Sequence, residues 1–311
     1  MLKLTIHGGR VDEVAAALKC AAEPTRLRLL ALLAHGELTV GEIGRILGQS
    51  QPRISRHLKI LTETGFLDRF REQQCVYYRV PVSGRSLAWM RRLLEFLDPS
   101  EPQLARDRER LASVIQARAR AAARNLPAAE LQGAGSLPRE LGGALVEELG
   151  PAAVGELLDV GTGAGDMLQL LGPSAQHAVG VDISTPALRL ARTRVHSAGL
   201  AHCELQRGDM YALPCEDARF DTVSMDRVLA QSERPVDALR EAARALRRPG
   251  RLVVVEQYEP LLKSGAPDPL NRLRRWLSEA GFHLERLRPC DPAGAHYIIA
   301  VARVAPAAGV V

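Results

Sequence analysis

Apolar residues recur with a helical period through the first third of the chain, and apolar runs of strand length alternate with helical stretches in the second half. Within residues 11–34 the helical period is interrupted at Pro24. Because proline suits the first turn of a helix, the pattern predicts two helices that meet there. The overall alternation predicts a helical N-terminal domain followed by an α/β domain with a mostly parallel sheet.

A helix-turn-helix is predicted from two short helices, over residues 38–47 and 51–64. Ser50 is placed to cap the second helix, because its hydroxyl can accept from the free N–H groups of the first turn. The apolar stripe of that helix leaves its other side polar and basic. Two alternating runs, 66–71 and 76–80, then predict a strand hairpin. A helix-turn-helix followed by a hairpin is typical of a winged DNA-binding domain.

The stretch from Leu18 to Val80 resembles the ArsR family of winged-helix repressors. Three segments carry the resemblance: Glu23-Pro24-Thr25-Arg26-Leu27, Ser50-Gln51-Pro52-Arg53-Ile54-Ser55-Arg56-His57-Leu58 and Val76-Tyr77-Tyr78-Arg79. Members of that family are usually dimers on an inverted repeat, so the resemblance implies a homodimer bound to double-stranded DNA. The predicted DNA contacts are Ser50, Gln51, Arg53, Ser55, Arg56, His57 and Lys59 in the second helix, and Arg69, Arg71 and Arg79 in the hairpin. For His57 a packed or capping role fits equally well.

Charge and cysteine content support an intracellular DNA-binding protein. Residues 1–97 hold 15 Lys and Arg against 9 Asp and Glu, so roughly the whole basic excess lies there. The five cysteines are scattered, and the family's metal-sensing cysteine positions hold Thr39, Val40 and Gly41. We therefore expect no disulfide framework, no metal and a cytoplasmic location. No apolar run approaches the roughly 18 residues of a membrane span.

A glycine-rich turn dominates the second half of the chain. An apolar run ending at Val160 leads into Gly161, Gly163 and Gly165, and a helical stretch follows. Glycines let the backbone approach a ligand closely because no Cβ intervenes. Asp182 follows a second apolar run about 20 residues later, the distance typical of an acid that binds ribose hydroxyls. A tight turn without a ligand is the alternative interpretation.

The spacing Asp-x-Gly-x-Gly-x-Gly resembles motif I of the class I S-adenosylmethionine-dependent methyltransferases. The dinucleotide fingerprint differs, because it needs a glycine where this chain has Asp166. The resemblance implies S-adenosylmethionine or S-adenosylhomocysteine as the ligand, no metal, and an Asp209 that contacts the adenine amine with Met210 beside the ring. The predicted cofactor-binding residues are Asp159, Gly161, Thr162, Gly163, Gly165, Asp182, Ile183, Asp209, Met210 and Met225.

These patterns divide the chain into four parts. Residues 1–98 are predicted to form the winged-helix domain, 99–139 a helical linker, 140–304 the cofactor-binding domain, and 305–311 a tail. The second domain is expected to be Rossmann-like, with a mostly parallel seven-stranded sheet whose last strands include an antiparallel one. A long apolar helix over residues 86–97 is expected to meet its copy across a two-fold axis.

Two functions remain open at the level of sequence. One is a transcriptional regulator, expected to be a repressor. Its methyltransferase-like domain would sense S-adenosylmethionine or S-adenosylhomocysteine. The other is a working methyltransferase of a small molecule that controls its own operon. DNA methylation is disfavoured, since the amine-binding Asn/Asp-Pro-Pro-Tyr motif is absent. Asp226 and Arg227 fit either a substrate site or an ion pair, and Glu256 and Tyr258 are weak candidates for binding an acceptor.

Overall fold

The structure is a computed structural model that describes residues 11–72, 74–81, 85–98, 100–125, 137–150, 154–263 and 268–305. By their contacts, the described residues up to Ala121 form a first unit together with Arg192–His202. The described residues of Ala122–Ala191 and those from Cys203 onward form a second unit.

The first unit is a helical domain with a small sheet. Its elements are α1 (Val11–Ala21), α2 (Pro24–Leu33), β1 (Leu38–Thr39), α3 (Val40–Leu47), α4 (Gln51–Glu63), β2 (Asp68–Glu72), β3 (Cys75–Arg79), α5 (Arg85–Glu95) and α6 (Pro102–Asn125). The strands pair antiparallel in the order β1-β3-β2. The predicted break at Pro24, the helix-turn-helix and the hairpin are confirmed.

Local capping explains where the helices of this unit begin. Thr39 and Glu42 form a capping box at the start of α3: each side chain accepts from the other residue's backbone N–H. Glu23 caps α2 by accepting from the N–H of Arg26 at 2.9 Å. Ser50 occupies the N-cap position of α4, but its side chain makes no capping hydrogen bond. Pro52 in the first turn favours the start of α4, because its fixed φ suits a helix.

The predicted linker helix belongs to the first unit as far as Ala121. Leu111 and Ile115 of α6 are buried in the same core as the helix-turn-helix. Arg28 of α2 also donates to Asp107 of α6 from two nitrogens, at 2.7 and 2.8 Å. The sequence of α6 is dominated by Ala and Arg and has few apolar residues. From that pattern alone, its packing against the first-unit core was not expected.

The second unit is an α/β layered domain. Its elements are α7 (Arg139–Leu149), β4 (Gly155–Val160), α8 (Asp166–Leu171), β5 (Ala175–Asp182), the first half of α9 (Thr185–Ser197), β6 (Cys203–Arg207), β7 (Phe220–Asp226), α10 (Pro235–Ala245), β8 (Leu246–Gln257), α11 (Tyr258–Lys263), α12 (Pro269–Glu279), β9 (Phe282–Cys290) and β10 (Tyr297–Val304). Short 3₁₀ turns cover Gly172–Ser174, Leu229–Gln231 and Pro292–Gly294.

Seven strands form one sheet in the order β6-β5-β4-β7-β8-β10-β9. The first five of these are parallel, and β10 runs antiparallel to both of its neighbours. The predicted mostly parallel, seven-stranded sheet is confirmed. Because β4 and β5 are adjacent and parallel, the turns that follow them meet at one edge of the sheet, where ligands bind in folds of this kind.

Candidate functional site

The glycine turn after β4 is a left-handed loop with open space at its middle residue. Gly161, Gly163 and Gly165 have φ of 69°, 52° and 83°, which a side chain adopts only at a cost. A Cβ on Gly161 would lie 2.4 Å from the Cγ2 atom of Val228, so that residue is also constrained by packing. A Cβ on Gly163 would meet nothing closer than 3.9 Å. The backbone of Gly163 is thus the part of the turn that a ligand can approach.

Asp182 closes this turn from the neighbouring strand. Its carboxylate accepts the N–H of Gly163 at 2.8 Å and the N–H of Ser184 at 2.7 Å. The sequence predicted that the acid and the turn belong to one site, and the structure brings them together. Ile183, directly after the acid, is 63% exposed, an unusual fraction for isoleucine next to a buried strand. Its apolar side chain is available to a flat ligand.

Asp159 supports the turn from below. It is 1% exposed, and its two carboxylate oxygens accept from the Thr162 hydroxyl at 2.6 Å and the Ser224 hydroxyl at 2.7 Å. Burial raises the pKa of Asp159 to about 7, although both hydrogen bonds act in the opposite direction. Asp159 and Thr162 therefore fix the shape of the turn. Sequence reasoning missed Ser224, whose only signal was a hydroxyl inside an apolar strand.

The predicted adenine side lies beyond β6. The parallel register pairs Asp182 with Arg207, and the N–H of Gly208 donates to the carbonyl of Asp182 at 3.1 Å. Asp209 follows at once, exposed, with its carboxylate accepting from the N–H of Tyr211 at 2.9 Å. Met210 is half-buried beside it. The two acids are thus held on adjacent strand ends of the same sheet edge.

Met225 is placed differently from the prediction. It is fully buried in the hydrophobic core of the second unit. Met225 lies near the end of β7, but its side chain packs in this core, so we do not place it in the proposed cofactor site.

The opposite side of the sheet edge carries charged residues that are already paired. Arg227 has a φ of 56° and donates to both carboxylate oxygens of Asp226, at 3.0 and 2.6 Å. Asp166 lies 3.7 Å from the same guanidinium. Glu256 is 1% exposed and accepts from the N–H groups of Leu229 at 2.6 Å and Ala230 at 3.2 Å.

Glu256 therefore stabilises the 3₁₀ turn after β7 rather than facing an acceptor. Burial raises its pKa to about 7, and the backbone hydrogen bonds oppose that shift. The Asp226–Arg227 pair is largely shielded from water, with side-chain exposures of 7% and 16%. Neither Glu256 nor Asp226 is therefore an evident catalytic base.

The outer face of α4 in the first unit is polar and exposed. Ile54, Leu58 and Leu61 are completely buried. The opposite face presents the predicted contact residues Ser50, Gln51, Arg53, Ser55, Arg56 and Lys59, all of them exposed. Arg69 and Arg71 are exposed on β2 of the hairpin. The first unit thus presents one basic helix face and a hairpin with two exposed arginines.

Two residues of the predicted DNA set have partners inside the protein. Arg79 donates to Glu37 at 3.3 Å, lies 3.8 Å from Asp68, and stacks over the Phe70 ring. The His57 ring lies 3.5 Å from the Glu23 carboxylate and is mostly buried. We therefore assign both side chains to the packing of the domain. The sequence alone does not reveal these ion pairs, because Glu23 lies 34 residues from His57 and Glu37 lies 42 residues from Arg79.

Across the part of the chain that the structure describes, no group of three or more His, Cys, Asp or Glu side chains is arranged to hold a metal ion. None of the described helices combines the length and apolarity needed to cross a membrane.

Comparisons with known proteins match two separate stretches of the chain. A model of the bacterial regulatory proteins of the arsR family matches residues 23–69, and a model of a methyltransferase domain matches residues 158–254. The chain is similar to the arsenic resistance transcriptional regulator ArsR1 of Pseudomonas putida, with 38% identity over 34% of this chain and 86% of that protein.

The chain is also similar to an uncharacterized methyltransferase, YcgJ, of Bacillus subtilis, with 31% identity over 44% of this chain. The chain spans about half the length of that relative, 48%. A crystal structure of a putative methyltransferase from Bacillus halodurans covers 53% of this chain and 99% of its own, with 20% identity and a TM-score of 0.46.

Proposed function

Because the chain belongs to the ArsR family of bacterial regulatory proteins and carries a methyltransferase domain, we propose that it is a DNA-binding transcriptional repressor with a nucleoside effector. The effector is S-adenosylmethionine or S-adenosylhomocysteine, bound at the glycine turn of the second unit. The protein acts in the cytoplasm, where its DNA is. One observation carries the proposal: the carboxylate of Asp182 is fixed against the open backbone of Gly163.

The chemistry of the turn suits a nucleoside with a positively charged or neutral sulfur. A carboxylate is an acceptor of the kind that binds ribose hydroxyls, and Asp182 presents one at the turn. Exposed Ile183 offers an apolar surface to the base, and Asp209 offers an acceptor for its amine.

DNA binding is assigned to the exposed face of α4. Arg53, Arg56 and Lys59 supply positive charge there, and Gln51 and Ser55 supply groups that recognise base edges. The β2–β3 hairpin is the wing of this domain, and its Arg69 and Arg71 contact DNA phosphates. A second copy of the chain binds the other half of an inverted repeat.

The test is calorimetric titration of S-adenosylmethionine and S-adenosylhomocysteine into the full chain, with and without an operator selected in vitro from random duplexes. We expect at least one nucleoside to bind and the operator to change its affinity by about fivefold or more. Linkage then requires the nucleoside to change operator affinity by the same factor. Equal operator affinity with and without both nucleosides would overturn the regulatory proposal.

Methyl transfer to a small molecule is the second candidate, favoured by the complete glycine turn and its acids. Positioning an acceptor in line with the methyl group supplies roughly 7–11 kcal/mol in favourable cases, without any catalytic acid or base. The internally paired state of Asp226, Arg227 and Glu256 favours the effector role. Incubation with methyl-labelled cofactor and cell extract separates the two: a labelled small molecule in the products would establish turnover.

A further inference from the structure

Arg192 is the most deeply buried cation of the first unit among the residues the structure describes, at 3% exposure. It lies in α9, and Arg192–His202 belongs to the first unit by its contacts. Its Nε donates to Glu37 at 2.7 Å, and a terminal nitrogen donates to Glu72. The guanidinium also lies over the Tyr77 ring, 4.6 Å from its centroid.

These partners belong to the DNA-binding machinery. Glu37 lies immediately before β1, at the entrance to the helix-turn-helix, and Glu72 is the last residue of β2 in the wing. Arg79 on the other wing strand reaches the same Glu37 at 3.3 Å. A guanidinium matches two carboxylates with directional hydrogen bonds, so the position of Arg192 specifies where the wing lies relative to the helix-turn-helix.

The second half of α9 is fixed in the first unit at another point as well. His196 is buried, and a Cβ on Gly36 would lie 3.0 Å from its ring. Gly36 has a φ of 146°, so the loop before β1 passes close to the helix at a residue that has no side chain. Any shift of α9 along its axis must therefore displace Glu37 and its neighbours.

The first half of the same helix begins at the candidate cofactor site. Asp182 ends β5, and its carboxylate holds the N–H of Ser184 in the turn that leads to Thr185, the first residue of α9. Seven helical steps separate Thr185 from Arg192, about 10 Å at 1.5 Å per residue. A helix of this length is stiff, because each added residue is held by a backbone hydrogen bond.

We propose that α9 transmits occupancy of the cofactor site to the wing, with Arg192 as the group that communicates the change. The proposal rests on the function proposed above and names how it is regulated. When ribose hydroxyls engage Asp182, its hydrogen bonds to the turn before α9 are rearranged. The helix then shifts as a unit, and the wing, held through Glu72 and Glu37, takes a different position on the duplex.

The decisive quantity is the coupling factor, the ratio of operator dissociation constants without and with saturating S-adenosylhomocysteine. Arg192→Lys keeps the charge but loses the planar fork, and Glu72→Gln removes one carboxylate while keeping its shape. We expect both variants to lower the coupling factor from fivefold or more to below about twofold. Their affinity for S-adenosylhomocysteine without DNA should stay within about twofold of the wild type.

Arg28→Lys is the matched control. Arg28 also places a guanidinium against a carboxylate within the first unit, donating to Asp107 at 2.7 and 2.8 Å, but this pair joins α2 to α6. It should keep the coupling factor of the wild type. The inference is overturned if Arg192→Lys couples as well as the wild type, or if Arg28→Lys loses coupling to the same extent.

The wild-type protein supplies a measurement that does not depend on a variant folding. Hydrogen exchange of the amides in Asp68–Glu72 and Cys75–Arg79 should change severalfold when S-adenosylhomocysteine is added without DNA. Unchanged exchange in the wing with the nucleoside bound would reject the role of α9. Absence of any coupling in the wild type would instead reject the proposed function itself, so the two failures are distinguishable.

Discussion

Asp182 accepts a hydrogen bond from the N–H of Gly163 at 2.8 Å, across 19 residues of sequence. The contact follows from topology, because β4 and β5 are parallel neighbours with Val160 opposite Val181. The acid and the turn are therefore fixed by the sheet before any ligand arrives. A site built on strand ends loses little conformational entropy on binding, which favours affinity for a small nucleoside.

Replacing Gly163 by alanine should abolish nucleoside binding at a modest cost in stability. The added Cβ meets no protein atom within 3.9 Å, so it would stand in the space that the ligand needs. The left-handed backbone makes the substitution cost about 1–2 kcal/mol. Gly199→Ala is the control, since Gly199 has a φ of 71° and equally open surroundings away from the turn. Calorimetry should show binding lost in the first variant only; equal binding in both would refute the placement.

Arg56→Ala should weaken operator binding without destabilising the domain, because Arg56 is exposed on α4. We expect the dissociation constant to rise about tenfold, within the 1–3 kcal/mol range of a direct base contact. Fluorescence anisotropy at several salt concentrations measures this. Arg240→Ala, an exposed arginine of the second unit, should leave operator affinity unchanged. A parallel loss in both variants would indicate general electrostatics instead of a specific interface.

Acid should destabilise the first unit through His196. Burial lowers the pKa of His196 to about 3, against an ordinary value of 6.5, and neither ring nitrogen has a hydrogen-bond partner among the residues that the structure describes. Since the folded state binds the proton less tightly, stability is complete above pH 6.5 and falls as the pH drops toward 3. The loss at pH 5 should be about 2 kcal/mol.

His196→Phe should reduce this loss, measured as the shift in urea midpoint between pH 7.5 and pH 5. His283→Gln serves as the comparison, because His283 is exposed on β9. If His196→Phe loses as much stability as the wild type over this interval, the histidine is not the group responsible.

Glu256 should act in the opposite direction. Burial raises its folded pKa to about 7 from 4.5, so its contribution to stability is complete below pH 4.5 and is lost as the pH rises through 7. The total is on the order of 3 kcal/mol. Glu256→Gln keeps the acceptor for Leu229 and should flatten, without abolishing, the decline between pH 5 and 8, since Asp159 titrates in the same direction. An unchanged decline in urea unfolding would exclude this role.

The parts of the fold that were predictable depend on local pattern. The apolar stripe of α4, the glycine spacing after β4 and the acid at the end of β5 are all encoded within short stretches. Parallel neighbours then bring the two strand ends together without further information. For the same reason the exposed residues of α4 were identified correctly from their helical period.

The residues placed differently depend on distant partners. Arg79 appears in sequence as one more wing arginine, yet Glu37 and Phe70 hold it inside the domain. Met225 occupies a ligand-facing end of a strand but points into the core. Glu256 looks like an acceptor-binding acid and instead satisfies two backbone N–H groups. Such roles are set by which polar groups become buried together, and a single sequence does not specify that.

The most direct measurement is calorimetry of S-adenosylhomocysteine with wild type, Asp182→Asn and Asp221→Asn. Asp221 also accepts a backbone N–H, from Glu156 at 2.9 Å, but at the opposite end of the sheet. A charged hydrogen bond contributes about 1.5–3 kcal/mol, so Asp182→Asn should weaken binding tenfold or more. Asp221→Asn should bind like the wild type. Equal binding by the wild type and Asp182→Asn, or none by the wild type, would contradict the nucleoside site at Gly163.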